Sequence, residues 1–469
     1  MSSDPDPTDT GFLSILRQSI AGGERDFTAE PVSRAVTLLA IPMVIEMMME
    51  SIFAVCDVFF VSRLGIDAVA AVGLTEAMVT LVYAVAVGLS MATTAMVARR
   101  VGEKDRRGAG AASVQAMAVG AVVALLIALP GAIFAPRLLA LMGGSAELVS
   151  HGAGYTRWML GGCLTIIQLF LLNAVFRGAG DAALSMRVLW LANSINLVLD
   201  PCLIFGLGPF PELGLTGAAI ATNIGRGLGV AFQVILLARG TGKIHLSRAD
   251  IRIRGAVMLR LLRISLGGIG QYLISTSSWV VLVRIVGTFG SGAVAGYTIA
   301  IRIIVFALLP SWGVANAAAT LVGQHLGAGQ PRQAEASVWR TGLYNMCFLV
   351  GIAVVFIVWA RPLVGVFTTD PQVVEYGVAC LRWISYGYGF YAYGMVIAQA
   401  FNGAGDTTTP TIINFFCYWL FQIPLALALA NGTALEARGV FVAVTAAEVL
   451  LAVVGILVFK RGRWQQQQV

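Results

Sequence analysis

Charge is scarce in this chain. Only 12% of its 469 residues are charged, against 58% apolar. So few charges cannot cover the surface of a soluble protein of this length, which excludes that class. Histidine is nearly missing, with three in all, and the six cysteines lack close metal-type spacing. Neither a zinc site nor a disulfide framework is indicated. Cys56, Cys163, Cys202, Cys347, Cys380 and Cys417 read as small packing residues in apolar segments. The pattern G-x-x-x-x-G-K-[ST] is absent, its nearest approach being Gly240-Thr241-Gly242-Lys243-Ile244. No nucleotide-driven motor is encoded here. A signal peptide is not expected either, because Asp4, Asp6, Asp9, Glu24, Asp26 and Glu30 stand where a basic and then apolar pattern is needed.

What the chain has instead is long apolar runs. They fall at 36–61, 68–92, 110–134, 156–177, 183–207 and 216–238, then at 264–286, 294–321, 337–360, 378–401, 411–431 and 438–460. Each is long enough to cross a membrane as a helix. Arg99, Arg100, Lys104, Arg106 and Arg107 follow the second run, and Arg239, Lys243, Arg248, Arg252, Arg254, Arg260 and Arg263 fill the gap between the sixth and seventh. Both gaps follow even-numbered runs, so the positive-inside rule puts them and the termini in the cytoplasm. The net charge of +7 is accounted for by topology and anionic lipid, and nucleic acid is not expected as a partner. The expected organisation is a cytoplasmic tail over 1–35, an N-lobe over 36–238, a cytoplasmic linker over 239–263, a C-lobe over 264–460 and a tail over 461–469. The glutamines at 465–468 are low-complexity and carry no assigned function.

The two lobes are copies. Arg177-Gly178-Ala179-Gly180-Asp181 recurs as Asn402-Gly403-Ala404-Gly405-Asp406, and the same offset of 225 carries Gly65-Ile66-Asp67-Ala68-Val69-Ala70 onto Gly290-Ser291-Gly292-Ala293-Val294-Ala295. Six crossings per copy return the chain to its starting side, so the lobes should be related by an axis along the membrane normal, with a central cavity between them. Their intramembrane acids differ: Glu46, Glu50, Asp57 and Asp200 fall on Gln271, Ser275, Leu282 and Leu425. Acids in apolar surroundings cost several kcal/mol unless something uses them.

Glu46, Glu50 and Asp57 lie within about 40° of one another around a helix, so three acids share one stripe. Pro42, one turn earlier, removes a backbone hydrogen bond and should bend the helix. Glu46 and Glu50 are either working acids or hydrated residues near a boundary. Asn196 and Asp200 are one helical turn apart, with Pro201 next. They read as an exchangeable carboxylate tuned by an amide, or as a cap at a proline-broken helix. Asn173 and Thr222 are candidates to complete the polar cluster, or else packing contacts between helices. Glu76 and Glu448 lack an acidic neighbour at helical spacing and are read as locally paired. Arg226, Arg284 and Arg302 need partners or water. Tyr386, Tyr388, Phe390, Tyr391 and Tyr393 crowd the tenth run, as ring surfaces for flat cations or as interfacial belt residues. Gly178-Ala179-Gly180-Asp181 carries the G-x-G-D of intramembrane aspartyl proteases, but its recurrence at the end of a span favours a turn of the repeat over a dyad with Asp181 or Asp406.

These residues together resemble the multidrug and toxic compound extrusion (MATE) transporters over essentially the full length, and more closely their prokaryotic DinF-type branch. The matching stretches are Ile41-Pro42-Met43, Cys56-Asp57-Val58, Ala98-Arg99-Arg100-Val101-Gly102, Arg177-Gly178-Ala179-Gly180-Asp181, Asn196-Leu197-Val198-Leu199-Asp200-Pro201 and the repeated glycine turns. The resemblance implies an all-α integral membrane protein with twelve transmembrane helices in two homologous six-helix lobes around a central cavity. It implies that Asp57, Asn173, Asn196, Asp200 and Thr222 match a cation-coupling cluster and Pro42 a bending proline. Another branch carries acids on spans seven and ten, where this chain has none, and Glu46 and Glu50 are accessory acids outside the family pattern.

The expectation is a secondary antiporter, not an enzyme. It exports amphipathic or cationic small molecules while H+, or Na+ held at Asp57 and Asp200, moves inward. It needs no cofactor, has membrane lipid and a small-molecule substrate as its partners, and works as a monomer in a prokaryotic inner membrane. Tyr386, Phe390 and Tyr393 are its candidate substrate contacts. The alternative is a flippase for a lipid-linked saccharide of related two-lobed design, kept open by Arg226, Arg284 and Arg302.

Overall fold

A computed structural model describes residues 11–23, 25–240, 244, 252–467 and 469. Among them no strand occurs, and helices follow one another almost without interruption. In hydrocarbon every peptide group must be bonded within its own segment, so long apolar runs coil into helices. Eleven helical segments are long and apolar enough to cross a membrane. The twelfth crossing, 371–404, is a helix pair whose tyrosines lower its hydropathy. In chain order the spans are Val32–Ser62, Ile66–Gly102, Arg106–Leu141, Ala146–Ala179, Ala182–Phe205 and Leu215–Arg239 in the N-lobe. Gly255–Gly287, Ser291–Gly327, the Pro331–Val358 span, 371–404, Thr408–Gly432 and Ala437–Phe459 form the C-lobe. The protein is a multi-pass, all-α membrane protein of two six-helix lobes.

The offset of 225 is kept by the structure. Span two maps onto span eight without a residue's difference, and span four, broken at Gly162, maps onto span ten, broken at Gly387. The turns repeat as closely: φ is 104° at Gly65 and 101° at Gly290, 88° at Gly180 and 89° at Gly405. A Cβ is strained at such angles, which is why glycine stands at all four. Asp181 accepts the Leu184 N–H at 3.3 Å and Asp406 the Thr409 N–H at 3.1 Å. Both aspartates are therefore helix caps, and the recurring turn displaces the catalytic dyad.

Twelve crossings put both ends of the chain on one face, the terminal side. There the lobes meet along spans two and eight, while span two also packs on span seven and span eight on span one. Glycines make the seam. A Cβ on Gly102 would lie 2.0 Å from the Gln324 carbonyl oxygen, and one on Gly327 would lie 2.2 Å from that of Arg99. Gln324 is the repeat partner of Arg99, so the contact is reciprocal, as a two-fold demands. Gly88 and Gly313, about 21 Å further along their helices, approach the carbonyls of Ser265 and Met43, with Cβ distances of 2.7 and 2.6 Å. Across the same seam Thr320 donates to the Arg177 carbonyl at 3.1 Å and Gln324 to the Gly178 carbonyl at 2.9 Å. Toward the opposite face Val55, Phe59, Val305 and Phe306 are exposed.

Several boundaries differ from the sequence expectation. The expected tail over 1–35 contains an amphipathic helix, Phe12–Ala21, packed on spans one and five, and span one begins at Val32. Span seven starts at Gly255, so the connection expected at 239–263 shortens to 240–254. Its stretches 241–243 and 245–251, with Lys243 and Arg248, lie outside the described residues, as do Asp4, Asp6, Asp9, Glu24 and Gln468. Helical bonding persists beyond the hydrocarbon, where Arg260 and Arg263 extend from span seven toward water. The last tail folds back as the turn Arg463–Gln466, with buried Trp464 stacked on Phe459 at 4.6 Å.

Candidate functional site

Spans one and five run side by side in the same direction, and their polar residues meet in three rungs. Nearest the terminal side, Glu46 is 1% exposed. Its Oε1 accepts from Ser185 at 3.2 Å and faces the Arg177 guanidinium at 3.5 Å, while Oε2 is buried without a partner. Next, Asn193 donates to Glu50 at 3.1 Å. Last, Asp57 and Asp200 lie within electrostatic reach of each other. Glu46 and Asp57 are separated by about 16 Å along span one, so the ladder covers half the hydrocarbon thickness.

The third rung pairs a buried acid with a half-buried one. Asp200 is fully buried, and one carboxylate oxygen, Oδ1, has no partner. With the Asn196 amide turned to satisfy both of its ends, its nitrogen donates to the other oxygen of Asp200 at 2.8 Å. The Asn196 oxygen then accepts from the Thr222 N–H at 2.8 Å and from the Thr222 hydroxyl at 3.0 Å. Span five thereby links to span six through a single amide. An unpaired buried carboxylate oxygen is an open place for a proton or a small monovalent cation. Asp57 is half-buried and feels Arg226, which donates to the Tyr83 hydroxyl at 2.9 Å.

The residues expected at this site are thus divided. Asp57, Asn196, Asp200 and Thr222 come together. Asn173 instead accepts from Gln233 at 2.7 Å, and Gln233 lies about 16 Å along span six from Thr222. Pro42 is buried inside an unbroken helix, beside the point where Gly313 meets the Met43 backbone. Of the aromatic group, Tyr386 and Phe390 are exposed. Tyr393 packs its ring on Trp339 and on Gly342, while Tyr388 is buried. Arg284 and Arg302 are exposed, and Glu76 lies within electrostatic reach of both Asp57 and Arg302. Among the described residues no group of three or more His, Cys, Asp or Glu is arranged to hold a metal ion.

Ser185, Asn193 and Arg177 were not anticipated. Asn193 carried a signal, since it shares a helix face with Asn196 and Asp200. Arg177 carried none, being 131 residues from the acid it pairs with.

The MatE family model matches residues 42–202 and, a second time, 269–428. A probable multidrug resistance protein NorM of Thermotoga maritima is 25% identical over 437 residues, covering 92% of this chain and 93% of its own. An FAD transporter of Shewanella oneidensis is 26% identical over 396 residues, covering 84% and 88%. A MATE crystal structure described as being in the straight conformation superposes with a TM-score of 0.88 at 25% identity, covering 94% of this chain and 97% of that one.

Proposed function

Because the chain belongs to the MatE family, whose members are transporters and not enzymes, we propose that it is a secondary antiporter exporting amphipathic or cationic small molecules against inward H+ or Na+. The observation that carries this reading is Asp200, fully buried with one oxygen unpartnered and within electrostatic reach of Asp57. A carboxylate neutral when loaded and charged when empty is solvated differently on the two faces of the membrane. It therefore biases the lobes between opening inward and opening outward. With the terminal side in the cytoplasm of a prokaryotic inner membrane, the glycine seam is the inner gate, and Pro42 is placed to bend span one beside it. One ion falling through 100 mV releases about 2.3 kcal/mol, enough for roughly fifty-fold concentration of a neutral solute.

The test is efflux of ethidium from proteoliposomes under separately imposed proton and sodium gradients. Asp57→Asn and Asp200→Asn should each bring efflux to the level of protein-free vesicles while the protein still folds. Full efflux by both variants would sink the reading, and the gradient that drives the unaltered protein identifies the ion.

A second reading is favoured by Arg226, whose Nη1 is buried without a partner. It suits an anionic cargo, such as the dinucleotide for which the Shewanella relative is named or a lipid-linked saccharide phosphate. Inhibition of ethidium efflux by FAD or by a polyprenyl pyrophosphate, lost in Arg226→Gln, would favour it.

A further inference from the structure

The C-lobe lacks every acid of the ladder, yet midway along its last span stands an acid where the N-lobe has an amide. Glu448 stands midway along span twelve, eleven residues from either end, and is 7% exposed. It therefore caps no helix end. Its Oε1 accepts from the Tyr418 hydroxyl at 3.2 Å. Tyr418 and Cys417 of span eleven and Tyr391 of span ten are the titratable side chains within its electrostatic reach. Among the described residues no ion pair reaches it, and no arginine, lysine or histidine is found acting on it.

Two further observations mark the place. Span eleven is not a plain α-helix here: Phe415–Gln422 is π-helical, and the Ile423 N–H reaches back to the Tyr418 carbonyl. Pro424, which has no N–H to give to the preceding turn, follows directly, and such segments recur at functional sites. Gln422, one turn beyond Tyr418, is 1% exposed and its amide oxygen has no donor. The repeat then supplies the location. Under the offset of 225 Tyr418 corresponds to Asn193, and Glu448 to Asn223, next to Thr222. The N-lobe places a buried acid, Asp200, between spans five and six, on five; the C-lobe places one between the equivalent spans eleven and twelve, on twelve.

We propose that Glu448 is a second proton-binding carboxylate, held in the C-lobe by Tyr418, which loads and empties as the transporter works. A mid-membrane acid with only neutral partners is tolerated when a proton neutralises it. A phenol suits both states, donating to the carboxylate and accepting from the carboxylic acid. Proton binding stands independently of the N-lobe reading, whereas its share in the transport stoichiometry rests on that reading.

Infrared difference spectroscopy of the full-length protein in nanodiscs, titrated with pH, reads the site directly. Glu448→Gln should remove one pH-dependent carboxyl band, and Tyr418→Phe should shift that band while leaving the carboxyl in place. Asp200→Asn should remove a different band. In proteoliposomes, the reversal potential for ethidium should correspond to one proton fewer per cargo in Glu448→Gln. The proposal is overturned if Glu448→Gln removes no band, or removes one that is present unchanged at every pH. Should the Glu448 band titrate while the unaltered protein shows no ion-coupled efflux, the N-lobe reading fails and this site stands.

Discussion

At one place the two lobes build the same contact from different chemistry. In the N-lobe, Glu46 of span one meets Arg177 of span four as an ion pair at 3.5 Å. In the C-lobe the equivalent residues, Gln271 and Asn402, meet as amides at 2.9 Å, and Gln271 also donates to the Thr407 carbonyl at 3.0 Å. The scaffold thus needs a polar junction at this corner but does not need charge. A buried ion pair is weak evidence of stabilisation, because desolvation offsets most of the attraction. Charge is kept in one copy and dispensed with in the other, and the ladder that begins at Glu46 ends at Asp57 and Asp200. The same contrast continues there: Asn196, Asp200 and Thr222 correspond to Phe421, Leu425 and Ala447.

The comparison can be broken most severely at its corner. Glu46→Leu leaves a guanidinium only 12% exposed without its acid, and should cost about 3–5 kcal/mol. Thermal unfolding in detergent measures the loss. Adding Arg177→Asn to Glu46→Gln transplants the amide pair of the C-lobe and should restore most of the midpoint; a double variant as unstable as Glu46→Leu would show that charge itself holds the corner. A smaller effect is expected at the seam. Gly102→Ala and Gly327→Ala each put a methyl group against backbone, which should disfavour the closed terminal side by about 1–3 kcal/mol. Spin-label distances between the ends of spans two and eight should lengthen equally in both variants, and unequal responses would contradict the reciprocal contact. The mildest test lies at the periphery. Arg157 donates to the Ala132 carbonyl at 3.3 Å and Arg382, its repeat partner, to the Ile357 carbonyl at 3.1 Å. Alanine at either position should lower stability by about 1 kcal/mol, and by the same amount in both lobes.

The sequence displayed the scaffold clearly because its turns depend on local rules. A glycine at positive φ leaves a mark that any copy must repeat, which is why Gly65, Gly180, Gly290 and Gly405 revealed two lobes. Asn196 and Asp200 were legible for a similar reason, being neighbours on one helix face. Pairings between distant spans leave no such mark. Glu46 with Arg177, Arg226 with Tyr83 and Asn173 with Gln233 are set by how helices pack, and spacing along the chain is silent about them. Glu448 has no acid at helical spacing to mark it, because its partner is a tyrosine on another span, in a π-helical segment. Helix ends were misjudged wherever a helix outlasts the apolar run that announces it, as at Val32 and Gly255.

The seam of glycines has a consequence for ionic strength. Among the described residues no salt bridge joins the lobes; where they touch most closely, peptide groups already bonded inside their own helices lie against one another. Prising the helix backbones apart forfeits dispersion contacts and neutral hydrogen bonds, which salt does not shield, whereas charge enters where Arg99 donates to the Gln467 carbonyl at 2.6 Å and Arg100 to the Val469 carbonyl at 3.4 Å. Added salt should therefore loosen the hold on the last tail while leaving the packing of the glycine seam itself unchanged.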